Sequence, residues 1–246
     1  MDVFWNRTLA NQTPSSFAQR MCGQRILSIF RRGKFLVFQL TKDVMLIHLR
    51  MSGDVRVERS LDANGVPQKP HKHDRLIITF ANHARLAFHN PRKFGRVWLM
   101  DDPDSVLAGL GPEPLDPNLS PQLFFKKLQA HKRQIKPLLM DQHFLAGLGN
   151  IYTDEALFHA RIHPLRISNA IKREESKALL DAIRLVLKEG IRRNGASIDW
   201  VYRGGEFQNQ FQVYGRAGDP CPRCGAKIER IVVSQRGTHI CVNCQK

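Results

Sequence analysis

Apolar residues in the first hundred positions come in short runs, each closed by turn chemistry. Lys34-Phe-Leu-Val-Phe-Gln-Leu40 is followed by Thr-Lys-Asp and then Val44-Met-Leu-Ile-His-Leu49. Arg75-Leu-Ile-Ile-Thr-Phe80, the turn Ala81-Asn82-His83 and Ala84-Arg-Leu-Ala-Phe88 repeat the arrangement. Short runs rich in β-branched and aromatic residues at this spacing predict antiparallel hairpins, so residues 24–101 are expected to form a β-sandwich or barrel. The polar stretch Leu61 to His73 holds Asn64-Gly65 and two prolines and is expected to be a loop.

The period changes after Gly111-Pro-Glu-Pro-Leu-Asp-Pro117, a stiff proline linker. Ser120-Pro121 is an N-cap with proline at the first helical position. Residues 135–143 and 151–160 read as helical, on either side of Leu145-Ala-Gly-Leu-Gly149-Asn150. The longest helix is predicted over 172–193, with Leu179, Ile183, Val186 and Leu187 on one face and Asn194-Gly195 as its stop. Residues 196–212 are polar and without period and read as a mobile loop. The domains expected are 1–110, 111–205 and 206–246, an α+β multidomain chain.

The tail carries Cys221-Pro-Arg-Cys224 and Cys241-Val-Asn-Cys244. Two C-x-x-C knuckles at this separation point to one structural Zn2+, since a tail this short has no core of its own. Two disulfides or a redox pair are the competing readings, and Cys22 is expected to be a buried or otherwise unreactive thiol. Arg236 falls near the tip of the hairpin between the knuckles, where a planar guanidinium suits phosphate. The glycine turn before Asn150 would leave helix N–H groups free for another phosphate, or serve only as a packing turn.

Charge narrows the partner. The 246 residues hold 38 Lys+Arg against 22 Asp+Glu, net +16, with a pI near 10.2. Such an excess suits a polyanion, most often nucleic acid, with a membrane surface as the competitor. No apolar run approaches the roughly 18 residues of a membrane span, and Met1-Asp-Val-Phe-Trp-Asn-Arg7 has no signal-peptide character. A soluble intracellular protein is therefore expected.

Several motifs converge on one resemblance. They are the glycine turn with Asn150, Gln212-Val-Tyr-Gly-Arg216, and the four-cysteine tail with Gln235-Arg236. His48-Leu-Arg-Met51-Ser-Gly53 and Asn90-Pro-Arg92-Lys-Phe94-Gly95 complete the set. From about residue 3 to its end the chain resembles the bacterial formamidopyrimidine-DNA glycosylases and their endonuclease VIII relatives. The resemblance implies an N-terminal β-sandwich, a helix–two-turn–helix domain and a C-terminal four-cysteine zinc finger, with DNA between them. It implies a base-excision-repair glycosylase and AP lyase that takes oxidised purines, 8-oxoguanine or formamidopyrimidine, from double-stranded DNA. Such a protein would be a cytoplasmic, nucleoid-associated monomer. By resemblance, Met51, Arg92 and Phe94 fill the space left by the everted base. Without it, Met51 and Phe94 would read as core residues. Lys34, His73, Asn150 and Arg236 would grip phosphates, Lys34 near the active site, and Lys136 matches a lysine associated with recognising the oxidised purine. The loop around 196–212 matches the segment that closes over an everted base.

Three departures stand out. Arg50 replaces a glycine, and Asn90 and Lys93 replace Asp and Arg, with a change of loop detail expected. The serious one is the start: the family nucleophile is an N-terminal proline followed by glutamate, and this sequence begins Met1-Asp2-Val3. An α-amine titrates near 8, well below lysine, which makes it the better nucleophile at neutral pH. Some 25–30 residues bearing it, a helix and a strand, are expected to be absent. A start upstream of Met1, a non-catalytic binder of damaged or abasic DNA, and a substitute amine (the Asp2 terminus or Lys34) are the competing accounts. The chain as written is expected to be weakly active or inactive. A zinc-ribbon partner of RNA or the ribosome would need only the charge and the cysteines.

Overall fold

Pairing of the predicted hairpins produces two four-stranded sheets. The computed structural model describes residues 1–61, 64–197 and 204–246. They fall into two compact units, Met1–Ala108 and one running from Gly109 to Lys246. In the first, β1 (Asp2–Val3), β2 (Ile26–Arg32), β3 (Phe35–Leu40), β4 (Val44–His48), β5 (Asp54–Arg59), β6 (Asp74–Thr79), β7 (Ala84–His89) and β8 (Arg96–Met100) are joined by α1 (Pro14–Met21) and closed by the short α2 (Asp104–Leu107). One sheet runs β2-β3-β4-β8 and the other β1-β6-β7-β5, with antiparallel neighbours throughout.

Period-two alternation makes this a sandwich. Phe38, Leu40, Met45, Ile47, Val97 and Leu99 from one sheet share a buried cluster with Leu76, Ile78, Leu86 and Phe88 from the other. Phe17 of α1 is fully buried in the same cluster. That helix begins at Thr13-Pro14, and Thr13 Oγ1 accepts from the Ser16 N–H (3.3 Å). It uses the same grammar as Ser120-Pro121 but is too short for a periodicity reading. β2 is an edge strand that pairs with β3, and it exposes Leu27, Ile29 and Phe30.

The second unit holds α3 (Pro121–Gln129), α4 (Ile135–Met140), α5 (Asn150–His159), α6 (Arg173–Arg192) and the hairpin β9 (Glu229–Val233) and β10 (Arg236–Ile240). Leu179, Ile183 and Val186 of α6 are buried with Phe124, Leu138, Leu139 and Leu157 of the other helices, and Leu187 packs against them. Ser120 Oγ accepts from the Leu123 N–H at 3.1 Å, as its N-cap reading requires. Asn194 and Gly195 both take positive φ and stop α6. The loop expected over 196–212 needs correction where it is described. Residues 207–210 form a 3-10 turn, Phe207 is buried in the helical core, and its ring stacks on Tyr152 at 5.1 Å. Apolar rings at 207 and 211 fasten a stretch whose polar composition hid them. The part over 198–203 lies outside the described residues.

Candidate nucleic-acid interface and metal centre

Strand register alone gathers one set of candidates in the first unit. Phe35 faces His48, which faces Arg96; Asp54 faces His89, which faces Asp74. The start of β3, the end of β4 and the start of β8 therefore lie at one end of their sheet. The start of β5, the start of β6 and the end of β7 share an end of theirs. Lys34, the Met51 loop, His73 and the Arg92–Phe94 loop all leave the strands at these positions. The two loops touch: Arg92 Nη2 donates to the Met51 carbonyl at 3.5 Å. Met51 is 59% and Phe94 54% exposed, so neither is the core residue that its type suggests. Lys34 and Arg92 are exposed and His73 is half-buried. The His73 carbonyl accepts from the Asn90 N–H (2.9 Å), which ties it to the second loop.

Two of the departures fall where the backbone is strained. Arg50 sits at φ +58 and Lys93 at φ +61, both in the left-handed region where glycine costs least. Gly53 is obligatory, because a Cβ there would lie 2.4 Å from the Leu49 carbonyl oxygen. The Arg50 N–H donates to His48 Nδ1 (3.0 Å), so that ring is neutral. Burial, then the nearby Arg50 and Lys34 charges, push the His48 pKa down to about 4. Lys93 Nζ lies 4.1 Å over the Trp5 ring, a cation–π contact that keeps the loop basic.

In the second unit the metal centre comes first. The Sγ atoms of Cys221, Cys224, Cys241 and Cys244 lie within 4.8 Å of one another. The cross-knuckle pairs Cys221–Cys244 and Cys224–Cys241 are 3.9 and 3.5 Å apart. A tetrahedral ion with Zn–S near 2.3 Å requires sulfur separations of about 3.8 Å, so one Zn2+ fits. These separations are far beyond a disulfide bond of about 2.05 Å, and all four thiols are free. Cys22 is also free, but exposed rather than buried. The ribbon is fastened to the helices: Cys221 and Cys241 pack with Phe158 and Val213, and Arg223 Nη1 donates to the Phe158 carbonyl (2.7 Å) at the end of α5.

Hairpin and helix also meet at the start of α5. Ser234 and Gln235 both have positive φ, and Arg236 pairs with Val233, so a two-residue I′-type turn precedes an exposed Arg236. Asn150 Nδ2 donates to the Gly237 carbonyl at 3.1 Å. Gly147 takes φ +96 in the turn before α5, and Gln142 stitches that turn by accepting from the Gly147 N–H and donating to the Leu148 carbonyl. Lys136 is nearly sealed, 1% exposed, with its ammonium 2.6 Å from Asp154 Oδ1. A cavity of about 300 Å³ opens beside it, lined by Arg133, Lys136, Met140, Asp141, Ser234 and Arg236. Asp154 and Glu155 carry much of this arrangement. Glu155 accepts from the N–H groups of Gln212, Val213 and Tyr214 at 2.8–3.0 Å, and burial raises its pKa despite those donors. Two adjacent acids ahead of Ala156-Leu-Phe158 in a buried helix were the available sequence signal.

These features match known proteins over the whole chain. Family models described as the formamidopyrimidine-DNA glycosylase N-terminal domain, its H2TH domain, and the zinc finger found in FPG and IleRS match residues 1–97, 110–201 and 218–246. The formamidopyrimidine-DNA glycosylase of Protochlamydia amoebophila is 42% identical, covering 100% of this chain and 90% of the relative. That of Chloroflexus aurantiacus is 42% identical over 98% of this chain and 87% of the relative. The chain belongs to the formamidopyrimidine-DNA glycosylase family. Among solved structures, the Lactococcus lactis Fpg (MutM) complex with N7-benzyl-Fapy-dG DNA has a TM-score of 0.90 at 36% identity, covering 100% of this chain and 90% of that one. A MutM complex with carbocyclic 8-oxo-G DNA has 0.89 at 37%, with the same coverage. Family membership accounts for the sandwich, the helical domain and the zinc finger together.

Proposed function

We propose that this chain serves base-excision repair, as a DNA glycosylase and AP lyase for 8-oxoguanine and formamidopyrimidine lesions in duplex DNA. The observation that carries the proposal is the pair of touching, exposed loops with Met51, Arg92 and Phe94 at one end of the sandwich. A large thioether and a phenyl ring held in water are costly unless they later replace lost base stacking. Arg92 beside them has donors for an orphaned base. Lys34 and His73 leave the strands at the same end, and Asn150 and Arg236 meet around Gly237, both sets suited to backbone phosphates. Relatives solved with 8-oxo-G, Fapy-dG and abasic-site DNA support the substrate class. A monomer working in the cytoplasm at the bacterial nucleoid suits this reading, and among the described residues no helix is long and apolar enough to cross a membrane.

A second reading is a damaged-DNA or abasic-site binder without chemistry, since the exposed loops and the Asn150–Arg236 joint supply binding alone. Lys34 leaves the strands at the loop end, which makes its amine the one to test.

Labelled duplexes with 8-oxoguanine, a tetrahydrofuran abasic analogue or no lesion test both readings. Damaged duplexes should bind about tenfold or more tighter, the scale of one stacking contact; equal affinities would sink the assignment. Borohydride should trap a covalent complex with the 8-oxoguanine duplex under the glycosylase and lyase reading, and none under the binder reading. A trapped complex abolished by Lys34→Arg would assign the amine to Lys34.

A further inference from the structure

Lys136 has three N–H donors and three acceptors around it. Its ammonium lies 2.6 Å from Asp154 Oδ1, 2.7 Å from Thr238 Oγ1 and 3.3 Å from the Gly237 carbonyl. The Thr238 hydroxyl in turn donates to the Arg236 carbonyl at 3.1 Å. The second Asp154 oxygen accepts from the His239 N–H at 2.9 Å. Asn150 Nδ2 shares the Gly237 carbonyl. One buried cation on α4 thus holds the backbone of residues 236–239 against the first turns of α5. Arg236 and Asn150 are the two candidate phosphate ligands on that joint.

A lysine placed to read a base would keep a donor free or pair only with groups that water can replace. Here any turn of the ammonium toward a base breaks a bond to a buried partner. That would leave Asp154 or Thr238, both buried, short of a donor, a loss larger than one new contact returns. Burial pulls the Lys136 pKa down and the Asp154 charge holds it up, so the pair depends on both members.

We propose that Lys136 is a positioning residue, which with Asp154 and Thr238 sets the zinc hairpin on α5 so that Asn150 and Arg236 grip DNA phosphates together, and that it does not contact the damaged base. The proposal rests on the glycosylase reading above and deepens it. A base reader and a positioning residue differ on a lesion that has no base.

The test measures affinity for duplexes carrying the tetrahydrofuran analogue and 8-oxoguanine, with Lys136→Met and Thr238→Val. Both variants should lose about tenfold on both duplexes, the effect of one charge-assisted bond, leaving the ratio between the duplexes unchanged. Zinc should stay at one per chain. Arg236→Ala added to Lys136→Met should cost far less than it does alone, because a misplaced Arg236 has little left to lose. General destabilisation would not produce that coupling. A loss confined to 8-oxoguanine would overturn the proposal, as would wild-type affinities in Thr238→Val or additive losses with Arg236→Ala. If Lys136→Met does not fold, Thr238→Val, which keeps the ion pair, decides alone. A wild-type chain blind to both lesions would refute the glycosylase reading, a separate outcome.

Discussion

Arg50 and His48 show how single positions in and beside the Met51 loop trade stability for shape. Arg50 holds φ +58 where a glycine would pass without strain. The left-handed conformation costs an L residue about 1–2 kcal/mol, partly offset by glycine's extra freedom when unfolded. Arg50→Gly should therefore stabilise the chain by about 0.5–1 kcal/mol in urea unfolding. His48 accepts the Arg50 N–H through Nδ1 and is held neutral, its pKa near 4 against 6.5 for a free imidazole. Its folded pKa is depressed, so the unfolded chain binds the extra proton between those values. Stability should fall as pH drops from about 6.5 to 4 and change little from this group outside that window. His48→Gln should flatten that part of a melting-temperature profile; an unchanged profile would mean that the ring is not held neutral.

At the scale of elements, the zinc hairpin is the piece whose local order depends on something outside its own sequence. β9 and β10 are joined by Ser234 and Gln235, neither of them glycine, both in the left-handed region. Such a turn is weak alone, and a two-stranded hairpin is at best marginal in water. Four thiolates on one ion supply the missing stability, roughly 10–16 kcal/mol in comparable zinc peptides. A strong chelator should release one zinc and expose four further thiols to titration. Because Arg236 and Gly237 belong to this hairpin, the same treatment should abolish tight binding of the abasic-analogue duplex. Retained affinity after zinc loss would show that the helices hold the hairpin without metal. The sequence announced these elements unevenly. α6 carried a full helical period, and β3, β4, β6 and β7 were apolar runs closed by turns. α1 is signalled only by its Thr13-Pro14 cap, and β5 is too exposed for a clean alternation.

For the molecule as a whole, the net charge of +16 pointed to a polyanion, and composition fixed nothing about where that charge acts. Register did. Lys34, Met51, His73, Arg92 and Phe94 are scattered over sixty residues, and the pairing of Phe35 with His48 and of His89 with Asp74 brings their loops to shared sheet ends. Residues that pair locally or bind through a fixed spacing were legible beforehand: the hairpins, the capped helices and the four cysteines, since each is decided by neighbours within a few positions. The burial of Phe207 and the saturated ammonium of Lys136 were not, and the exposure of Met51 and Phe94 was implied by the resemblance alone, not by residue type or period. Apolar and cationic side chains have the same chemistry in a core, on a surface or beside an ion pair. Only long-range packing decides which, because solvation and hydrogen-bond partners come from segments distant in sequence, as Thr238 and Asp154 come to Lys136. The chain's sequence determined what kinds of elements form and which metal joins them, and its tertiary structure determined which of its apolar and cationic side chains stay exposed and which are buried.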